Sequence, residues 1–239
     1  MGTELNILIA AAASIAFAHT ILGPDHYVPF IAMAKARKWS VAKTLWITGI
    51  SGLGHVASSV LLGAIGIYLG MAVTNLEAFE ASRGSIAAWF LIAFGLVYFV
   101  YGLRKAVKGK KHNHSHKHTD GTVHQHEHKH TDDHLHVHQT SEKKKEVTPW
   151  VLFVIFLLGP CEPLIPLLMY PAAKNSMASV VLVAAVFSII TIGTMMLTVG
   201  MLLAGSKYIP KTNILERFIH AIAGATISLC GISIQFLGL

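Results

Sequence analysis

Charge is what this chain has least of: only 13% of its residues are Asp, Glu, Lys or Arg, about half the ~25% of an ordinary soluble domain. That scarcity argues against a water-soluble fold and makes a membrane protein the starting expectation. Cysteine is almost as rare. Cys161 and Cys230 are the two in the chain, each inside an apolar run, so no extracellular disulfide framework can be read from them. The first apolar run lacks a basic leading segment and a small-residue cleavage site, so it is expected to be structure and not a cleaved signal peptide. A formal charge of +7 would suit nucleic acid, but the basic residues sit in connecting loops without a recognition motif, and no nucleic-acid partner is expected.

What the chain has instead is hydrophobic length. Apolar runs lie near residues 5–22, 45–70, 85–103, 148–170, 178–204 and 218–239. Each is close to the ~20 residues that a helix needs to cross ~30 Å of hydrocarbon. The first and fourth are interrupted. The expected fold is an all-α membrane protein of six transmembrane helices, with residues 1–106 and 148–239 as two three-helix units and 107–147 as a polar loop between them. Of 19 Lys and Arg residues, 17 fall on one side of this topology, leaving Arg83 and Lys174 opposite. The positive-inside rule then puts the central loop in the cytoplasm of a bacterial-type inner membrane and both termini outside.

A shift of 136 residues lays "GPDHYVPFIAMAKARKWS" from Gly23 over "GPCEPLIPLLMYPAAKNS" from Gly159. Gly-Pro, Lys38 with Lys174, and Ser40 with Ser176 coincide, and the same shift pairs Gly95 with Gly231 and Gly102 with Gly238. Three spans per half is an odd number, so the halves enter the membrane from opposite sides as inverted repeats. Transporters of this design hold substrate near the midplane, at paired broken helices. Gly-Pro supplies the break twice, because proline offers no helical N–H and its ring crowds the preceding turn. Non-helical backbone at that depth survives only within protein or beside a water-filled cavity.

The breaks carry the costly residues. Asp25 and His26 follow the first Gly-Pro, Cys161 and Glu162 the second, His19 lies two turns before His26, and His55 sits mid-span among small residues. An ionisable group at the centre of a span costs roughly 2.5–3.5 kcal/mol on insertion scales. Imidazole, carboxylate and thiolate are ligand types for first-row transition metals, imidazole suiting nickel, cobalt, zinc and copper. His19, Asp25, His26, His55, Cys161 and Glu162 are therefore the expected metal ligands. The plainer alternative is that Asp25 and His26 cap the break or pair with each other, that His55 bonds a neighbouring helix, and that Cys161 is a small buried hydrophobe. Cys230, Met195 and Met196 read as packing, and His220 as an interfacial residue.

Eleven of the fifteen histidines lie in the polar loop: His112, His114, His116, His118, His124, His126, His128, His130, His134, His136 and His138. A segment this polar is expected to lack a fold of its own. Alternate histidines of an extended chain share a face, and short His-rich tracts read as metal-binding. Such a loop would buffer or meter the ion and could meet a cytoplasmic metallochaperone. Gly49, Gly52 and Gly54 in the second span suit close helix packing within or between protomers, which admits a homo-oligomer.

The stretches "HTILGPDHYVPFIAMAKARKWS" and "GLGHVASS" resemble the nickel/cobalt permease superfamily, in particular its UreH-type and NicO-type members. By motif match that resemblance implies Ni2+ or Co2+ carried by His19, Asp25, His26 and His55, although the permeases space the first motif His-x4-Asp-His and here five residues separate His19 from Asp25. The second half, "LGPCEPLIPLL", is similar to the transmembrane thiol–disulfide conductors of cytochrome c biogenesis, the CcdA/DsbD group. That group places one reactive cysteine at each break, whereas here Asp25 stands opposite Cys161. The leading expectation is a transporter of a divalent transition metal, nickel or cobalt before zinc or copper. It would be no enzyme, with no permanently bound cofactor and with the ion and membrane lipid as its partners. The alternatives are a thiol–disulfide electron carrier and a membrane-anchored metal buffer or sensor.

Overall fold

The computed structural model describes residues 2–108, 112–117, 123–128, 147–208 and 212–237. These residues form eight α-helices: α1 (Gly2–Leu22), α2 (Val28–Arg37), α3 (Val41–Tyr68), α4 (Val73–Lys108), α5 (Thr148–Leu158), α6 (Leu164–Ala173), α7 (Met177–Gly205) and α8 (Asn213–Leu237). Five of them, α1, α3, α4, α7 and α8, are long and apolar enough to cross a membrane. Their outward faces carry Trp46, Val97 and Ile189, each at least 69% exposed. Large apolar surface of this kind on every side suits lipid and not water.

The two expected interruptions are present. Helix α1 ends at Leu22, a short 3-10 turn spans Pro24–His26, and α2 resumes at Val28 with Pro29 in its first turn, where a missing N–H is harmless. Helix α2 extends well beyond the apolar run 5–22 that hydropathy outlined. The α5–α6 pair, 11 and 10 residues long, is divided at 159–163. Lys38, in the left-handed region at φ 54°, turns the chain out of α2. The Ser40 hydroxyl then accepts the Lys43 N–H at 3.2 Å to start α3, an N-cap that satisfies an otherwise orphaned donor.

The tightest helix pair is α4 with α8. A methyl group at Gly224 would collide with the backbone of Phe99, and one at Gly95 with that of Ser228, so both glycines are required by close approach. Ser228 Oγ donates across the seam to Ile92 O at 3.1 Å. Replacing Gly224 with Ala should destabilise the fold by at least the ~1–3 kcal/mol typical of overpacking, read as a lowered Tm in detergent.

Two apolar clusters fill the bundle. One joins Phe30 and Met33 of α2, Leu152 and Phe156 of α5, Met195 and Val199 of α7 and Ile227 of α8, toward the end that bears residues 109–147. The other joins Ala12 and Ala16 of α1, Val56 of α3, Leu164 and Leu168 of α6, and Val183 and Phe187 of α7. His55 stands between them.

The expectation of a central loop without a fold needs correction for two segments, β1 (His112–Lys117) and β2 (Val123–His128). Their backbones pair antiparallel, with His112 opposite His128, His114 opposite His126 and His116 opposite His124. Main-chain pairing satisfies backbone donors and acceptors without an apolar core. His118, His130, His134, His136 and His138 lie outside the described residues.

Candidate functional site

The first break brings three imidazoles together. His19 closes the last turn of α1, His26 ends the 3-10 turn, and His55 reaches in from α3. One ligand nitrogen from each lies within 4.8 Å of the others. The rings meet edge to face, His19 with His26 at 4.8 Å and His26 with His55 at 5.1 Å between centroids. His26 and His55 are 2% exposed. The Nε2 atoms of all three are buried without a hydrogen-bond partner.

Two of the rings are held through their other nitrogen. His26 Nδ1–H donates to Asp25 Oδ1 at 3.1 Å and to Gly23 O at 3.2 Å, and His55 Nδ1–H donates to Phe156 O at 3.3 Å. These carboxylate and carbonyl oxygens only accept, so His26 and His55 each carry a proton on Nδ1. This is the outer-shell pattern of metal-ligating histidine, in which a carboxylate or carbonyl fixes the tautomer and aims the ring. The two readings of these residues thus coexist: Asp25 pairs with His26 and His55 bonds the neighbouring helix through Nδ1, while Nε2 stays available. Gly23 is required here, since a Cβ on it would lie 2.6 Å from His26 Nδ1.

A cavity of about 680 Å³ adjoins the trio, lined by His19, Asp25, His26, His55 and Glu162 among others. It reaches Ser85 on α4 and Gln235 on α8, toward the end of the bundle opposite residues 109–147. A tetrahedral ion with bonds of 2.0–2.1 Å holds its nitrogens about 3.4 Å apart. Loading would therefore draw the rings inward by roughly an ångström.

The six expected ligands divide in three ways. His19, His26 and His55 converge. Asp25 and Glu162 line the cavity, Asp25 acting through His26. Cys161 is placed elsewhere: fully buried, it packs with Ala12, Ala16, Val56 and Phe187, where the thiol behaves as a small hydrophobe. Cys161 and Cys230 are both free thiols. His220, on α8, is bonded to Tyr98 at 2.8 Å and Lys105 at 3.0 Å.

Two residues of the site region were not expected there from sequence. Glu80, fully buried on α4, pairs with Arg83. Its Oε2 accepts the Cys161 N–H at 3.0 Å and the Ser59 hydroxyl at 3.3 Å. Arg83 Nη2 donates to Leu157 O at 3.0 Å and Gly159 O at 3.4 Å. The pair satisfies groups that the second break orphans, on both its sides. The apolar run taken as the third span begins at 85, which left both residues outside the membrane; α4 begins twelve residues earlier, at Val73. Two charges spaced i, i+3 are the signal that was there.

The model of one family, the cytochrome C biogenesis protein transmembrane region, matches residues 28–233. The chain belongs to that family. With five long apolar helices, it is an integral membrane protein. This membership supports the thiol–disulfide alternative better than the nickel/cobalt expectation, and no comparison supports the nickel/cobalt permease resemblance. The matched region contains His55, Cys161 and Cys230 but starts after His19, Asp25 and His26. No protein of curated function and no solved structure matches the chain.

Proposed function

We propose that this member of the cytochrome C biogenesis transmembrane family carries a transition-metal cation across the membrane through His19, His26 and His55. The observation that supports this is the convergence of three imidazoles, one ligand nitrogen of each within 4.8 Å of the others, whose Nε2 atoms are all buried and unpartnered among the described residues. Unpaired polar atoms in a protein interior are costly, and an ion that takes all three offsets that cost. Nickel and cobalt lead among the ions that imidazole suits, with zinc and copper as rivals. The ion is cargo: it enters the cavity, exchanges water for imidazole, and leaves when the bundle reopens on the other side. Asp25 and Glu162 would attract it, and the histidines of residues 112–138 would buffer it on the cytoplasmic side.

In this reading the two halves are inverted repeats. Support comes from the packing: α1 lies on α7 as α5 lies on α3, while α3 crosses α7 and α4 crosses α8. Such pairing lets one half rock against the other around a central site.

The second reading, a thiol–disulfide carrier, is favoured by the family match. It needs two thiols that meet. Cys161 lies in an apolar cluster of α1, α3, α6 and α7, and Cys230 lies in α8. The deciding experiment measures cell-associated nickel, cobalt, zinc and copper by elemental mass spectrometry in cells expressing the chain or its His26→Ala form, with alkylation trapping of both cysteines. A metal change that His26→Ala removes is expected, with both thiols free throughout, and the sign of the change gives the direction. Unchanged metals together with a redox-sensitive bond between Cys161 and Cys230 would replace metal transport by electron transfer.

A further inference from the structure

Hydroxyls on these helices commonly bond to their own backbone. Thr20, Thr44, Thr48, Ser188 and Thr226 each donate to the carbonyl four residues back, at 2.6–2.9 Å. Among the described residues, Ser51 on α3 and Thr191 and Thr198 on α7 do not: they are at least 92% buried, and their hydroxyls have no partner. A buried polar group without a partner calls for a reason.

Their positions are ordered. Thr44, Thr48, Ser51 and His55 recur at helical spacing along α3 and so share one face. Ser51 stands one turn from His55, on the side of residues 109–147. Thr191, Met195 and Thr198 share a face of α7 by the same spacing. The two helices touch at this level, since a Cβ on Gly52 would lie 3.1 Å from Met195 Sδ. The 680 Å³ cavity approaches the imidazoles from the other end of the bundle. On this side Phe30, Met33, Met195 and Val199 close the core. The orphaned hydroxyls therefore lie in the half that is shut.

We propose that the α3–α7 seam marked by Ser51, Thr191 and Thr198, with Thr48 and Thr44 beyond, is the second half of the cation's route. It is a hydrated path, closed in this structure, from His55 to the end of the bundle that bears residues 109–147. The proposal rests on the metal-carrying reading and adds the path and its chemistry. Hydroxyl oxygens suit a partly hydrated ion in transit. A route must bind weakly enough to let its ion leave, which a second cluster of imidazoles would not do.

The test is thiol accessibility in the full-length chain carrying Cys161→Ala and Cys230→Ala. Ser51→Cys and Thr198→Cys are introduced singly, with Val56→Cys as the control, because Val56 lies on the same helix as Ser51 but in the apolar cluster. Membranes permeable to the reagent are treated with a small cationic methanethiosulfonate. Thiol modification follows access to water, so Ser51→Cys and Thr198→Cys should react at least about tenfold faster than Val56→Cys. Rates no faster than the control at both positions overturn the proposal, and the near-isosteric Ser51→Cys guards against a folding artefact. Prior addition of nickel chloride should slow the reaction at Ser51→Cys. Fast modification that neither nickel, cobalt nor zinc alters would keep the hydrated seam and overturn the metal reading beneath it.

Discussion

Purified protein in detergent should hold one tight transition-metal ion per chain that the His26→Ala form does not hold, measured by equilibrium dialysis with nickel, cobalt and zinc. The comparison is made in the full chain, so that weaker binding by residues 112–138 is common to both proteins and cancels. His19→Ala and His55→Ala should give the same loss, because each removes one of three converging imidazoles. The graded result comes from the neighbours. Asp25 touches His26 through Nδ1, so Asp25→Asn should weaken binding by the ~10–100-fold typical of outer-shell partners, without abolishing it. Cys161→Ala should leave affinity unchanged, since that thiol packs against Ala12, Ala16 and Phe187. Equal retention of metal by wild type and all three histidine variants would remove the site. A large loss from Cys161→Ala would show that the α5–α6 break swings its thiol into the cluster.

That series separates what could be read from the chain and what could not. The breaks were legible because Gly-Pro has a local, obligatory consequence for a helix, and a histidine deep in an apolar run is expensive wherever it points. So His19, His26 and His55 could be named before their geometry was known. The placement of Cys161 was not legible, because its position in the repeat predicts depth but not direction: the residue one step further, Glu162, lines the cavity, while Cys161 lies in an apolar cluster. Glu80 and Arg83 were hidden for a different reason. Hydropathy marks where a span becomes apolar, and a helix with its charges paired can continue beyond that limit, as α4 does. Local pattern also says little about function within the family. The match over residues 28–233 leaves out the first break, where two of the three converging imidazoles reside.

The second large effect is expected at the Glu80–Arg83 pair. Arg83→Met strands a fully buried carboxylate, and Glu80→Gln strands a guanidinium that is only 12% exposed. Removing one partner of a buried ion pair costs about 3–5 kcal/mol, whereas replacing both by neutral groups costs much less. Each single variant should therefore unfold at markedly lower temperature in detergent, and the double variant should recover part of the loss. The recovery distinguishes an ion pair from two independent packing residues, for which the losses would add. The pair also bears on the imidazoles. Arg83 holds Leu157 O and Gly159 O, one and three residues after Phe156, whose carbonyl accepts from His55. On the facing side, a Cβ at Gly84 would lie 2.7 Å from Pro160 Cγ, so α4 is seated against the break as well as charged toward it. If the clamp positions His55, the double variant should regain stability but not full metal affinity, because neutral side chains relieve the stranded charge without restoring the bonds to Leu157 and Gly159. Full recovery of both would mean that α5 keeps its end in place unaided, and that Glu80 and Arg83 serve the fold alone.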